Sequence, residues 1–138
     1  MDVNLANLNE QLKAKGFSLT QSRILVFEHL LKHGPLTMRD LLIGLAGKLD
    51  RASVYRNVKL FEDLGMVQRL SNGFKYSLEL SDRLINHHHH LVCIGCGAIA
   101  DIHENKLEEH IADIAKNQGF LPKAHQIEVR GYCRRCRA

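Results

Sequence analysis

Four imidazoles and two thiols fall within ten consecutive residues, His87-His88-His89-His90-Leu91-Val92-Cys93-Ile94-Gly95-Cys96. All six side chains are donors for borderline metal ions. The only other cysteines, Cys133 and Cys136, repeat the Cys-x-x-Cys spacing, so every thiol of the chain sits in one of two matched clips. One such clip could serve as a redox pair, but two with the same spacing supply what a tetrahedral four-thiolate zinc site requires. The histidine run is internal and four residues long, unlike an expression tag, and the zinc does not need it. In an extended chain alternate side chains point to opposite faces. His88 and His90 then share one face and His87 and His89 the other, and each pair can seed a metal site if further imidazoles or carboxylates complete it.

Elements that position this stretch can be read on both sides of it. Leu5, Leu8 and Leu12 recur at helical spacing up to a stop at Gly16. Thr20 caps a second expected helix carrying Ile24, Phe27, Leu30 and Leu31, which ends near Gly34. Thr37 and Asp40 resemble a capping box opening a third helix. Asp50 caps a fourth, Arg51 to Leu64, with Gly65 just beyond it. One side of that helix is apolar (Val54, Val58, Phe61), and the other presents Ala52, Tyr55, Arg56 and Lys59. Arginine can pair bidentately with guanine, and small or aromatic side chains can touch a thymine methyl.

After Gly65 the period changes to two. Val67 and Arg69, then Phe74, Tyr76, Leu78 and Leu80, predict two strands around a Ser71-Asn72-Gly73 turn. Short helices followed by a hairpin are the order of a winged helix-turn-helix domain, with the hairpin as the wing. Candidate DNA contacts are Arg23, Ser53, Tyr55, Arg56, Lys59, Arg69 and Lys75. Beyond the histidines, Ala98 to Ile102 predicts a strand. Leu107, Ile111 and Ile114 predict a helix stopping by Gly119, and His125, Ile127 and Val129 a last strand. The fold class expected is α+β, with a winged-helix DNA-binding domain over residues 1–82 and a small α/β metal-binding domain over 83–138.

Composition agrees with that use. The net charge of +4 leans towards an anionic partner such as nucleic acid. No apolar run approaches the roughly 18 residues of a membrane span, and the N-terminus lacks a signal-peptide pattern. The expected setting is a reducing cytoplasm, with thiolates on metal and no membrane partner.

The combination resembles the ferric uptake regulator (Fur) family of metal-dependent repressors, from Leu19-Thr20-Gln21-Ser22-Arg23 to Cys136. The resemblance is carried by Ala52-Ser53-Val54-Tyr55-Arg56-Asn57, by His87 to Cys96 followed by Gly97, and by Gly131-Tyr132-Cys133-Arg134-Arg135-Cys136. It implies a homodimer of two winged helices clamped by C-terminal dimerisation domains, bound to a double-stranded DNA operator. It also implies structural Zn(II) on Cys93, Cys96, Cys133 and Cys136. A hinge-side regulatory site would use His33, an acid after the wing, His88, His90 and Asp101, and a further site His87, His89, Glu108 and His125. The chain departs from the family pattern in two places. Ser77 stands where the family commonly has its metal-binding Glu; Glu79, facing the same way two residues on, takes that role, with Asp82 as the alternative. Many members have Asp where this chain has His89.

The function expected is therefore a repressor that responds to a divalent metal. The proposed sensing sites offer nitrogen and oxygen and no thiolate, which suits Fe(II) first, then Mn(II), and admits Zn(II). Zinc-sensing relatives often add a cysteine near the end of the wing, and none lies between Met66 and Leu91. Peroxide-, manganese- and zinc-sensing members of the same family are the alternatives. Two other classes compete: a DNA-binding protein with structural zinc and no sensing, and a metallohydrolase using the histidine cluster, for which no His-Glu-x-x-His motif is present. His29, His103 and His110 are read as ordinary surface or packing residues.

Overall fold

The structure, a computed structural model, describes residues 3–72 and 75–137. It divides into two compact units, Met1–Asn86 and His87–Ala138. Leu84 and Ile85 belong to the first unit, where Leu84 is buried in the apolar core and Ile85 packs against it.

In that unit α1 (Val3–Ala14), α2 (Gln21–His33), α3 (Met38–Leu45) and α4 (Arg51–Asp63) precede the antiparallel hairpin of β1 (Val67–Asn72) and β2 (Lys75–Leu80). The expected caps form. Thr20 accepts the Arg23 N–H at 3.3 Å, Thr37 that of Asp40 at 3.1 Å and Asp50 that of Ser53 at 3.2 Å. Each satisfies a donor that helix geometry leaves without an internal partner. Gly65, at φ 72°, turns the chain from α4 into the wing through the left-handed region that side chains disfavour. Val54, Val58 and Phe61 of α4 are buried, whereas Ala52, Tyr55, Arg56 and Lys59 are exposed. The core joins α1 through Leu8 and Leu12, α2 through Phe27 and Leu30, and the hairpin through Leu78 and Leu80. Burying one such side chain contributes about 1.5–3 kcal/mol, so this unit is held by its own apolar contacts.

The wing differs in one detail from expectation. Ser71 and Asn72 are not turn residues but pair with Tyr76 and Lys75. The register that buries Val67 and Leu80 opposite each other carries pairing out to Asn72. Gly73 and Phe74, on which the rest of the expected turn and strand falls, lie outside the described residues. Leu36 adds an antiparallel bridge to Leu78 at the other edge of the hairpin.

In the C-terminal unit β3 (His89–Cys93) is central, with β4 (Ile99–Ile102) antiparallel on one side and β5 (Glu128–Gly131) parallel on the other. Parallel neighbours need a long crossover, and α5 (Asn105–Asn117) lies within it. The last strand is shorter than the alternation of His125, Ile127 and Val129 suggests, because the ladder starts at Glu128 opposite His90. The Ile127 N–H donates to His89 Nδ1 at 3.1 Å, while its carbonyl accepts the His90 N–H at 3.2 Å. A side chain has taken the donor that an earlier start of the ladder would use. His125 therefore stands in the connection. Among the described residues of this unit, the buried ones are Val92, Cys93, His88, His89 and His90. No described helix of either unit is long and apolar enough to cross a membrane.

Candidate metal centres and nucleic-acid face

The two cysteine clips follow β3 and β5, which run side by side in the same direction, so both clips arrive at one end of the sheet. The four Sγ atoms lie within 4.8 Å of one another. Cys96 Sγ and Cys133 Sγ are 3.8 Å apart, too far for a disulfide. That is the edge of a tetrahedron whose metal–sulfur bonds are about 2.3 Å, as for zinc. Cys93 Sγ accepts the backbone N–H groups of Cys133 at 3.3 Å and Cys96 at 3.5 Å. Those two bonds, Cys133's first, push the Cys93 thiol down to about 6. Hydrogen bonds with Cys133 and then Cys93 push Cys136 up to about 12, so the protons that remain in the cluster collect there. A divalent cation that displaces them answers both tendencies, and the donor set fits Zn(II). Gly95 lies close to the second clip: a Cβ there would sit 3.1 Å from both Cβ and Sγ of Cys136, so a side chain would press on the cluster.

Strand parity separates the histidines as expected. On one face of β3, His88 Nε2 and His90 Nε2 lie 3.9 and 3.8 Å from Asp101 Oδ1, with the two rings 4.7 Å apart. Asp101 reaches them because it is the register partner of His90 across the β3–β4 ladder. These separations leave room for an ion between the donors. On the other face, His87, His89, Glu108 and His125 bring their donors within 4.8 Å of one another. Glu108, on the first turns of α5, contacts the Nε2 atoms of His89, His125 at 2.6 Å and His87 at 3.5 Å. Burial opposes ionisation of Glu108, but the His89 hydrogen bond and the charges of His125 and His87 hold its carboxyl below the ordinary carboxylate range. This cluster is already bonded to itself. The Ile127 N–H on His89 Nδ1 puts the His89 proton on Nε2, the atom a metal would otherwise take.

The N-terminal unit holds the remaining candidates. Glu79 is buried on β2 and accepts Gln68 Nε2 at 3.1 Å, while Ser77 is half-buried and Asp82 exposed. His33 is exposed at the end of α2, its ring 4.6 Å from that of His29. On α4, Asp50 Oδ1 accepts the Ser53 hydroxyl at 2.5 Å, and Ser53 Oγ accepts Arg56 Nη2 at 3.1 Å. Arg56 is thereby braced on the exposed side of the helix, beside Tyr55 and Lys59. Lys75 is exposed on the wing. Arg69 is differently placed: it pairs with both carboxylate oxygens of Glu62 at 2.8 and 3.1 Å and lies 4.3 Å over the Tyr76 ring. It ties the wing to α4. Arg23 donates to the Ser18 carbonyl and lies 5.5 Å over Phe17, which braces the start of α2. His103, read from the sequence as a surface or packing residue, is exposed, and its ring lies 5.5 Å from that of His88.

This geometry has relatives. The chain matches the ferric uptake regulator family over residues 14–130. It is 32% identical over 131 residues to the peroxide operon regulator of Bacillus subtilis, covering 92% of this chain and 89% of that protein. The solved ferric uptake regulator of Vibrio cholerae superposes with a TM-score of 0.67 at 30% identity, over 91% of this chain and 98% of the other. That of Helicobacter pylori, described as having three functional metal binding sites, superposes with a TM-score of 0.78 at 21% identity, over 98% and 92% of the two chains, a likeness of fold. Three donor clusters on an α+β frame, a braced helix face and a match over most of its length identify the chain as a member of the ferric uptake regulator family, DNA-binding and metal-responsive regulators of transcription rather than enzymes.

Proposed function

We propose that this regulator is a repressor that senses Fe(II), binding its operator as a homodimer in the cytoplasm. The observation that carries the reading is the division of donors. The four thiolates are gathered in one cluster, which we assign to structural Zn(II), leaving His88, His90 and Asp101 as a nitrogen–oxygen set for a second ion. Such a set favours Fe(II) or Mn(II) more than a thiolate site does. By resemblance to the family, His33 and Glu79 are the donors offered by the N-terminal unit. In a dimer, metal binding that alters the spacing of the two recognition helices alters operator affinity. Apolar residues left exposed on the C-terminal unit, Leu91, Val129, Tyr132 and Ile114 among them, support pairing of two copies. Arg56, Tyr55, Lys59 and Ser53 read the operator, and Lys75 holds phosphate.

The test is operator binding by the full-length protein, titrated anaerobically with each metal. Fe(II) should tighten binding, and His88→Ala or His90→Ala should abolish that response while the zinc content stays at about one per chain. Metal-independent binding would overturn the reading. The 32% identity to a peroxide operon regulator favours one second reading, peroxide sensing at the same iron site. Exposing the Fe(II) form to peroxide before adding DNA separates the two: lasting loss of binding selects peroxide sensing.

A further inference from the structure

We propose that His103 is a further ligand of the His88–His90–Asp101 centre, giving the C-terminal unit a complete set of three imidazoles and one carboxylate for a divalent first-row cation. The inference rests on reading that centre as the regulatory site. In the β3–β4 ladder His89 pairs with Ile102 and His90 with Asp101. The next position outward sets His88 opposite His103, and cross-strand partners share a face. Parity gives the same answer, because residues 101 and 103 alternate in step with 90 and 88. The rings meet these requirements. His88 lies 4.7 Å from His90 and 5.5 Å from His103, centroid to centroid. Two imidazoles on one ion, with metal–nitrogen bonds of about 2.1 Å, have centroids roughly 4.6 Å apart at 90° and 5.5 Å at about 115°.

His88 and His90 are buried, whereas His103 is exposed and can turn about its side-chain bonds without disturbing the packing. The centre therefore has a fixed part and a movable part. An ion can be captured by the C-terminal unit alone, with the exposed imidazole as its most easily released ligand.

The experiment uses full-length, zinc-loaded protein carrying Glu108→Gln and His125→Ala, which disable the cluster on the opposite face. Co(II) is titrated anaerobically without DNA, and the visible d–d bands report both affinity and ligand number. His103→Ala and His103→Gln should each weaken Co(II) binding roughly 10–100-fold and shift the bands, with zinc content and circular dichroism unchanged. His33→Ala and Glu79→Ala should weaken capture far less. If the His103 variants bind Co(II) like their parent while His88→Ala does not, His103 is not a ligand and the regulatory centre stands without it. If His88→Ala also leaves binding unchanged, both the centre and this proposal fall.

Discussion

The N-terminal unit buries an apolar cluster running from Leu8 to Leu84 around Phe27 and Phe61, whereas the C-terminal unit buries Val92, Cys93 and three histidines. Imidazoles are costly to bury unless their nitrogens are engaged, and a unit of about fifty residues is marginal on apolar burial alone. The first unit carries its stability in side chains that need nothing from outside. The second has placed metal donors where a core would be, and under the zinc assignment its folding is coupled to metal binding.

The sharpest way to break that contrast is to remove a thiolate. Cys96→Ser, or stripping with a strong chelator, should unfold the C-terminal unit, since structural zinc contributes on the order of 10 kcal/mol to such sites. The far-ultraviolet signal and thermal transition of the N-terminal unit should survive. A zinc-free protein with an intact C-terminal unit would contradict the assignment. The reciprocal change is Phe61→Ala, which truncates a fully buried ring and should destabilise the N-terminal unit by about 3–5 kcal/mol in urea unfolding. Zinc per chain should stay at one.

A finer contrast lies across β3. On one face the Nε2 atoms of His88 and His90 stand 3.9 and 3.8 Å from Asp101 Oδ1, and the other is knitted by Glu108 and by the Ile127 N–H on His89. A metal entering the second face must displace the His89 Nε2 proton. His89→Asp offers one oxygen to the Ile127 N–H and another to the ion, so it should tighten binding at that face about tenfold, or about 1.4 kcal/mol. Calorimetric titration in a His88→Ala background reads this directly, and weaker binding would show that His89 ligates as it stands.

The smallest effect concerns the cap of α4. The Ser53 hydroxyl, then its backbone N–H, holds the Asp50 carboxyl below the usual range. A depressed carboxyl stabilises the fold fully above its unfolded value, and that contribution disappears as pH falls through the folded one. Asp50→Asn keeps a capping oxygen but has no charge to lose. Its melting temperature should depend less on pH in the acid range than that of the parent, and an identical dependence would remove Asp50 from the account.

Much of this architecture was legible in the chain. Thr20, Thr37 and Asp50 announced three helices because capping is local, and the apolar stripe of α4 named the side that is buried. The two clips announced a four-thiol cluster because zinc ligation has a strict spacing. The division of the four histidines followed from strand parity. Less legible were features set by partners distant in sequence. The start of β5 depends on His89, 38 residues away, taking the Ile127 N–H. The pairing of Arg69 with Glu62 hid behind a residue type that also suits phosphate. His103 is exposed, as a surface residue would be, and its place opposite His88 emerges only from the register of β3 with β4.

The parallel pairing of β3 with β5 has a consequence for exchange rates. An ion held by both clips leaves only if thiolates from two sequence-distant segments let go in turn. Each released thiolate stays tethered beside the ion by an intact ladder, at high effective concentration, so recapture competes with every step of departure. On the His88–His90 face the only carboxylate of the C-terminal unit's set, Asp101, is exposed, so solvent and competing ligands reach that centre more readily. Under the proposed assignment, a cysteine-bound ion would record the metal available when the chain folded, and a histidine-bound ion would follow the supply of the moment.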